Sequence, residues 1–404
     1  MSIIRDITVK AQKYLSSDEI LLFVGARQVG KTTILKQIQG QIQLKQTDKT
    51  VYFLNLEDPQ YLELLNESPK NLFKIFTIDL TNKTFLFLDE IQYLENPSNF
   101  LKFFYDEYKG KIKILASGSS AFYIDKKFND SLAGRKRIFN VYTLSFREFL
   151  RFKGEEDLAQ KDFKKHSLSE EEKIAIYYNE YLIYGGYPRV VLVPIEEKIN
   201  ELREIAFSYI KKDIYEANIR QEDVFYRLFK ILASQVGNLL NSHELALTLG
   251  VSKTAIDNYL YVMSKSFHIQ LIRPFFQNIR KELTKMPKVY FSDLGLRNFF
   301  VNNFDGMEAR NDKGALLENG FFRQLLENYE IDDINFWRTT SQNEVDFVTG
   351  GKMAFEVKTG LLKGQKSKYK IFVKAYPEIP LSFVTLDNKS AKIGNFPILK
   401  PWEV

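Results

Sequence analysis

The sequence predicts an α/β fold, and three observations predict it. Short apolar runs of β-branched and aromatic residues alternate with amphipathic stretches up to about residue 145; a helical middle follows; and one long helix leads into three closing strands. The runs are Ile20 to Gly25, Thr50 to Leu56, Thr84 to Asp89, Ile112 to Ser117 and Arg137 to Leu144. Each is short, rich in β-branched or aromatic residues and bounded by polar or turn residues, as expected of buried parallel strands, with Thr32 to Gln39 and Pro97 to Tyr108 as intervening helices. Further helices are expected at Phe146 to Phe152, Glu170 to Tyr184 and Lys198 to Asn218, with the charged stretch 153–173 as an exposed connection. The expected organisation is an α/β core over 1–150, a helical segment over 151–221, shorter helices over 222–275, a connecting segment over 276–312 and a second α/β part over 313–404.

A chain of 404 residues that is 45% apolar has room for two or three domains with buried cores. Its charged (27%) and aromatic (14%) fractions are those of a folded protein, not a disordered one. The absence of cysteine excludes disulfides, thiolate metal sites and a cysteine nucleophile. Three scattered histidines, His166, His243 and His268, argue against a histidine-built zinc centre, so metal chemistry is expected to rest on carboxylates and Mg²⁺-like ions. The opening MSIIRDITVKAQKYL lacks the apolar core of a signal peptide, and no apolar run reaches the length of a membrane span. A soluble, cytoplasmic protein without a membrane partner is expected. The net charge is only +6, but it is unevenly spread. Residues 209–290 hold 12 Lys and Arg against 7 Asp and Glu, and residues 351–374 hold 7 Lys against 1 Glu. Two basic regions on a mildly acidic remainder suggest a polyanion, nucleic acid above all.

The run Gly25-Ala26-Arg27-Gln28-Val29-Gly30-Lys31-Thr32-Thr33 follows a strand and opens a helix. Phosphate oxygens need converging backbone N–H groups at a helix N-terminus, and glycines permit the close approach. In such a loop Lys31 neutralises β- and γ-phosphate charge, and Thr32 offers its hydroxyl to Mg²⁺. ATP hydrolysis further needs a carboxylate at a neighbouring strand end for the metal and a base to orient water. Asp89 and Glu90, closing the run Thr84 to Leu88, supply both. Ile112 to Ala116 ends in Ser117-Gly118-Ser119-Ser120, where Ser119 or Ser117 is expected to hydrogen-bond the γ-phosphate or the water.

Residues 242–256 fit a helix-turn-helix. Ala246 is small at the helix crossing, Gly250 permits the turn, Ser252 caps the second helix, and Leu245, Leu249, Ile256 and Leu260 form the shared core. Lys253, Thr254, Asp257, Asn258 and Tyr261 would face outward; a Lys-Thr pair suits phosphate, and Asp257 opposes it. Near the end of the chain, period two puts Glu356 and Lys358 on one face of a strand, after Glu344-Val345-Asp346-Phe347-Val348 and a Gly350-Gly351 turn. A three-residue loop would set Asp346 opposite Glu356 and Glu344 opposite Lys358. Asp346 and Glu356 would then share a divalent metal, Mg²⁺ or Mn²⁺. Lys358 would position or deprotonate water, and Glu318, on a helix from Ala315 to Tyr329, would complete the site. The alternative is a solvated ion-pair ladder.

With GARQVGKT (25–32), FLDEIQ (87–92), SGSSA (117–121), LAGR (132–135), YGGYPR (184–189), KVYFSDLGLRN (288–298), GALLEN (314–319), WRT, EVDF and EVK, the chain resembles the bacterial and archaeal AAA-type P-loop ATPases with a winged-helix region and a C-terminal nuclease-like domain of unknown function. The resemblance implies a homo-oligomer in which an arginine of one subunit reaches the γ-phosphate of the next, with Arg135 first and Arg137 second. It implies that GGYP is a lid motif, placing Pro188 near the adenine and Arg189 near the phosphates. D-x9-E-x-K after an acidic helix is similar to the restriction-endonuclease-like site, with Lys363, Lys366, Lys368 and Lys370 as a DNA-facing rim. The implied function is an ATP-hydrolysing protein acting on DNA. The rivals are a nucleotide switch that binds a protein partner through an inactive nuclease-like scaffold, and a nuclease that uses the P-loop part only for assembly.

Overall fold

The computed structural model describes residues 3–45, 49–119, 132–275, 286–360, 366–387, 392–393 and 395–404. The chain forms two compact units, 1–142 with 265–267, and 143–264 with 268–404.

The first unit is built on a five-stranded parallel sheet of β1 (Ile20–Val24), β2 (Thr50–Asn55), β3 (Thr84–Asp89), β4 (Ile112–Gly118) and β5 (Lys136–Asn140), in the order β2-β3-β4-β1-β5. Every residue of β1, β3 and β4 is buried, which is why these runs are largely apolar without alternation; Lys113, inside β4, is an exception, its buried ammonium donating to the Ser17 carbonyl (2.8 Å). β5 lies at the edge, is only partly buried, and ends at Asn140, short of the expected Leu144. The helix after β1 runs from Lys31 to Lys45, beyond the expected Gln39, because Ile42 continues the buried stripe of Ile34, Leu35 and Ile38. The helix Pro97–Tyr108 starts as predicted, with Asn96 capping Asn99 N–H and Pro97 in its first turn.

In the second unit the helices Phe146–Phe152 and Leu168–Tyr184 each begin with a serine capping box, Ser145 with Glu148 and Ser167 with Glu170. The charged connection also holds a short helix, Glu156–Gln160. The expected single helix Lys198 to Asn218 is in three parts: Ile195–Glu204, a π-helical turn Ile205–Tyr209, and Ile210–Glu216.

The unit's sheet has eight strands in the order β12-β13-β11-β10-β9-β8-β6-β7. They are β6 (Ile269–Pro274), β7 (Lys288–Phe291), β8 (Ile334–Arg338), β9 (Glu344–Thr349), β10 (Met353–Val357), β11 (Leu381–Val384), β12 (Lys392–Ile393) and β13 (Phe396–Leu399). β6 and β7, which fall in the expected 222–275 and 276–312 segments, therefore share one sheet with the closing strands: β6 pairs with β7 antiparallel and with β8 parallel. One face of the closing part is packed by Tyr369 and Phe372 of the helix Lys366–Ala375, with Tyr376 just beyond it, against Trp337, Val345, Leu381 and Phe383.

The glycines of YGGYPR have a packing reason. A β-carbon on Gly185, whose φ is +75°, would lie 2.3 Å from Asp293 Oδ1 and 2.5 Å from the Gly295 nitrogen. Asp293 is buried, accepts from Gly186 N–H (2.8 Å) and caps its own helix at Leu296 N–H (2.9 Å), while Asn298 donates to the Leu182 and Ile183 carbonyls. Two sequence blocks about a hundred residues apart thus interlock. Among the described residues no helix is long and apolar enough to cross a membrane.

Candidate functional site

β1 ends at Val24 and the next helix starts at Lys31, so residues 25–30 form a loop at a helix N-terminus, where backbone N–H groups lack intrahelical partners. Gln28 (φ 64°) and Gly30 (φ 95°) adopt left-handed backbone to turn it. Gly25 is required by proximity: a β-carbon there would sit 2.1 Å from the Val141 carbonyl oxygen. The loop is pinned from below by buried Arg5, which donates to the Val29 (2.8 Å) and Tyr142 (3.0 Å) carbonyls. Lys31 is buried and donates to the loop's own Gly25 (3.0 Å) and Ala26 (2.8 Å) carbonyls. Thr32 is half-buried and Thr33 exposed; Ala26, Arg27 and Val29 are buried.

Because β4 lies between β1 and β3, with Val24 level with Gly118 and Leu88 level with Ala116, the ends of all three strands converge. Asp89 and Ser117 are both buried, with the Ser117 hydroxyl donating to Asp89; Glu90 has a left-handed backbone (φ 58°), and its N–H donates to Ser117 Oγ at 3.1 Å. Ser119 is gripped twice by Gln92, which donates to its hydroxyl (2.8 Å) and accepts from its N–H (3.2 Å); the same Gln92 amide also donates to Glu90. Ser117 and Ser119 thus have different duties, one tied to the candidate metal carboxylate and one to the candidate base. Sequence reasoning assigned Gln92 no role; its signal was a polar residue in the FLDEIQ block that ends up 4% exposed. The oxygen set suits Mg²⁺, which characteristically keeps waters and uses one or two protein ligands with substrate phosphates; Thr32 and Asp89 would hold it.

Arg135 pairs with Asp106 at 2.9 Å and lies over Tyr105, about a third exposed. Arg137 is more firmly held, bidentate to Glu19 at 3.0 Å through both nitrogens and stacked 3.9 Å from the Tyr14 ring centre. In the second unit Pro188 opens the short helix Pro188–Leu192, and Arg189 pairs with Glu201 at 2.7 Å. Ser120 and Ala121 of SGSSA lie outside the described residues.

The hairpin of β9 and β10 has a three-residue loop, and its register (Met353 with Thr349, Phe355 with Phe347) continues to Glu356 beside Asp346. Asp346 accepts from Val357 N–H (2.8 Å); Glu356 Oε1 accepts from Tyr369 (2.7 Å) and Lys358 (2.5 Å), and Lys358 lies 3.7 Å from Asp346. Glu356 Oε2 is buried without a partner. Glu344 does not pair with Lys358. The β8–β9 register sets it opposite Arg338, and it binds Arg338 (2.8 Å) and Lys288 (2.6 Å) instead. Glu318, on the helix Lys313–Leu325, accepts from Tyr290 (2.5 Å) and lies 3.6 Å from Lys288. Lys288 and Tyr290, contributed by β7, were not anticipated because only sheet pairing brings them to residues 318–346. Lys370 is exposed; Lys363 and the side chains of Lys366 and Lys368 lie outside what is described.

Burial, then the negative charge of Asp346, pushes Glu318 and Glu356 each up to about 7. Burial opposes the charge on Lys358, but Asp346 and Glu356 outweigh it and raise its pKa, so Lys358 is suited to neutralising charge rather than taking a proton from water. Among the described residues no group of three or more His, Asp or Glu is arranged to hold a metal. Asp346 and Glu356, with one unpartnered oxygen, are a two-carboxylate donor set that fits a hard cation, which would take over the neutralising role of Lys358.

Lys253–Lys265 forms the second helix of the helix-turn-helix after Ser242–Leu249, with Gly250 left-handed (φ 70°) and Ser252 capping Ala255 N–H. Leu245, Ala246, Leu249, Ile256 and Leu260 are buried, while Lys253, Thr254, Asp257, Asn258 and Tyr261 are exposed. Lys253 pairs with Asp257 at 3.1 Å.

Residues 17–150 match the family described as an AAA domain, and their parallel sheet with its phosphate loop has the AAA-type P-loop fold. Residues 176–306 and 313–399 match two domains of unknown function, DUF8612 and DUF4143. An uncharacterized protein of Methanocaldococcus jannaschii is 28% identical over 96% of this chain and 84% of its own length. One of Haemophilus influenzae is 24% identical over 83% and 80%. Among solved structures, the Aeropyrum pernix ORC2 protein is 12% identical, covering 66% of this chain and 84% of that one, with a TM-score of 0.38. The Thermotoga maritima RuvB Holliday junction branch migration motor is 13% identical, covering 69% and 94%, with a TM-score of 0.34.

Proposed function

We propose, from an AAA-type P-loop domain at residues 17–150 as premise, that this chain is a Mg²⁺-dependent ATP hydrolase acting on DNA. The observation that carries the reading is the convergence of the loop 25–30 with the linked set Asp89, Ser117, Glu90, Gln92 and Ser119 at three adjacent strand ends. In this reading the loop N–H groups and Lys31 bind the phosphates, with Lys31 leaving its resting carbonyls. Bound Mg²⁺ supplies charge neutralisation between Thr32 and Asp89. Glu90 polarises the attacking water, and Gln92 and Ser119 fix its position. Arg135 of the LAGR block is proposed first as the arginine offered to a neighbouring copy in a homo-oligomer, with Arg137, bidentate to Glu19 and stacked on Tyr14, second. Pro188 and Arg189 are proposed for the lid role, and Lys253 and Thr254 for DNA phosphate. Asp346, Glu356 and Lys358, with Glu318 behind them, are proposed as a metal-dependent DNA-cleaving site using Mg²⁺ or Mn²⁺.

ATP hydrolysis measured with and without single-stranded, duplex and branched DNA tests the reading, and stimulation by DNA is expected. A rate indifferent to every DNA form would leave the rival: a nucleotide switch recruiting a protein partner. Two observations favour that rival, the neutralisation of Asp346 and Glu356 by Lys358 and of Lys253 by Asp257. Asp346→Ala and Lys358→Ala are expected to abolish metal-dependent DNA cleavage and spare ATP turnover; a wild-type chain that cuts no DNA with either metal removes the nuclease half.

A further inference from the structure

We infer that the outer face of the helical run 195–216 is a stacking platform for an unpaired nucleic-acid strand. This deepens the DNA reading proposed above and rests on it. Arg203, Phe207, Lys211 and Tyr215 follow one another at intervals of four, cation then aromatic, and all four are exposed, Phe207 by 51% and Tyr215 by 83%. A basic track with interleaved aromatic rings is the arrangement that holds phosphates and stacks bases.

The backbone keeps the four in line. Over twelve residues an unbroken α-helix carries a side chain about 120° around the axis, which would swing Tyr215 away from Arg203. The π turn Ile205–Tyr209, in which Ile210 N–H donates to the Ile205 carbonyl, absorbs one extra residue and takes back about 100° of that drift. The turn is braced from the adjoining helix Glu222–Ser234, where Tyr226 donates to the Ala206 carbonyl at 3.1 Å. On the opposite side of the run, buried Asp213 is joined to His268 at 2.9 Å, fixing which face points outward.

Beside Phe207 lies a cavity of about 470 Å³ walled by Phe207, Tyr226, Phe299 and Phe300, with Arg203 and Lys230 also lining it. Phe207 meets Tyr226 and Phe299 at ring-centre distances of 5.7 and 5.8 Å, so the rings form a continuous aromatic wall to that cavity. Among the described residues neither Arg203, whose guanidinium bonds the Asn200 amide, nor Lys230 has an acidic partner. Lys211 lies 3.8 Å from half-exposed Glu222, a pair that phosphate can displace. One base would enter the aromatic wall with its phosphate between Arg203 and Lys230, and the strand would continue over Lys211 and Tyr215.

The test is binding of a labelled oligodeoxythymidylate of about 16 nucleotides to the full chain, followed by anisotropy against salt, beside a duplex of equal length. Phe207→Ala and Tyr215→Ala are each expected to weaken the single strand by about 5- to 100-fold and to leave duplex binding unchanged. Lys230→Ala is expected to lower the salt slope by about 0.7. ATP hydrolysis without DNA should not change in any of the three, which also reports folding. Wild-type affinity for the single strand in Phe207→Ala and Tyr215→Ala overturns the platform, as does a wild-type chain that binds duplex alone, and in both cases the DNA reading stands. Binding to neither form sinks both.

Discussion

Gln92 joins the candidate base to the candidate phosphate-facing serine, and its substitution separates positioning from binding. Gln92→Ala is expected to lower the ATP turnover rate by about 10- to 100-fold while the affinity for ATP changes little, measured as kcat and KM under saturating Mg²⁺. Lys31→Ala removes the phosphate charge partner itself and is expected to abolish turnover; unchanged hydrolysis would overturn the loop assignment. The loop and Asp89-Glu90 were legible in the sequence because phosphate chemistry dictates residue type and spacing over a few adjacent positions. Gln92 and Lys288 were not. Gln92's partner Ser119 lies just past the end of β4, and Lys288 reaches Glu344 only after β7, β6, β8 and β9 have paired.

At the scale of elements, local rules read well where they are self-contained. The helix-turn-helix follows from Gly250, Ser252 and a four-residue apolar core, and the β9–β10 hairpin from two adjacent glycines. The π turn was hidden, since no residue in Ile205–Tyr209 announces it and an α-helical pattern fits its neighbours on either side. The interlock of YGGYPR with KVYFSDLGLRN was also hidden, because a double glycine reads equally as a turn. Gly185→Ala combines left-handed backbone with a collision against Asp293 and the chain at Gly295, and is expected to destabilise the second unit by about 2 to 4 kcal/mol, seen as a lower denaturant midpoint. Lys253→Glu places like charges beside Asp257; if the helix-turn-helix meets DNA, affinity falls and the salt slope shrinks by about 1, whereas an unchanged slope identifies a packing element.

For the whole molecule, the buried carboxyls give pH a direction. Glu318 and Glu356 have an ordinary value of 4.5 and are pushed up to about 7 in the fold, so between those limits the folded chain holds more protons than the unfolded one. Stability of the metal-free protein is therefore expected to be full and flat with respect to these groups below about pH 4.5 and to fall as pH rises through about 7. Glu356→Gln should flatten part of the fall, and added Mn²⁺ should raise the melting temperature most above pH 7 if Asp346 and Glu356 hold it. A melting curve indifferent to both would leave the cluster as an ion-pair lattice. The eight-stranded sheet carries a different consequence, for engineering. Because β8 leans on β6 and β7, a fragment beginning at residue 313 would keep an open strand edge and lose Lys288 and Tyr290 from its carboxylate cluster. Such a piece is expected to aggregate when expressed alone. A graft of the closing strands onto a foreign ATPase is therefore expected to stay soluble only if β6 and β7 travel with them, which the soluble yields of fusions starting at residues 268 and 313 would check.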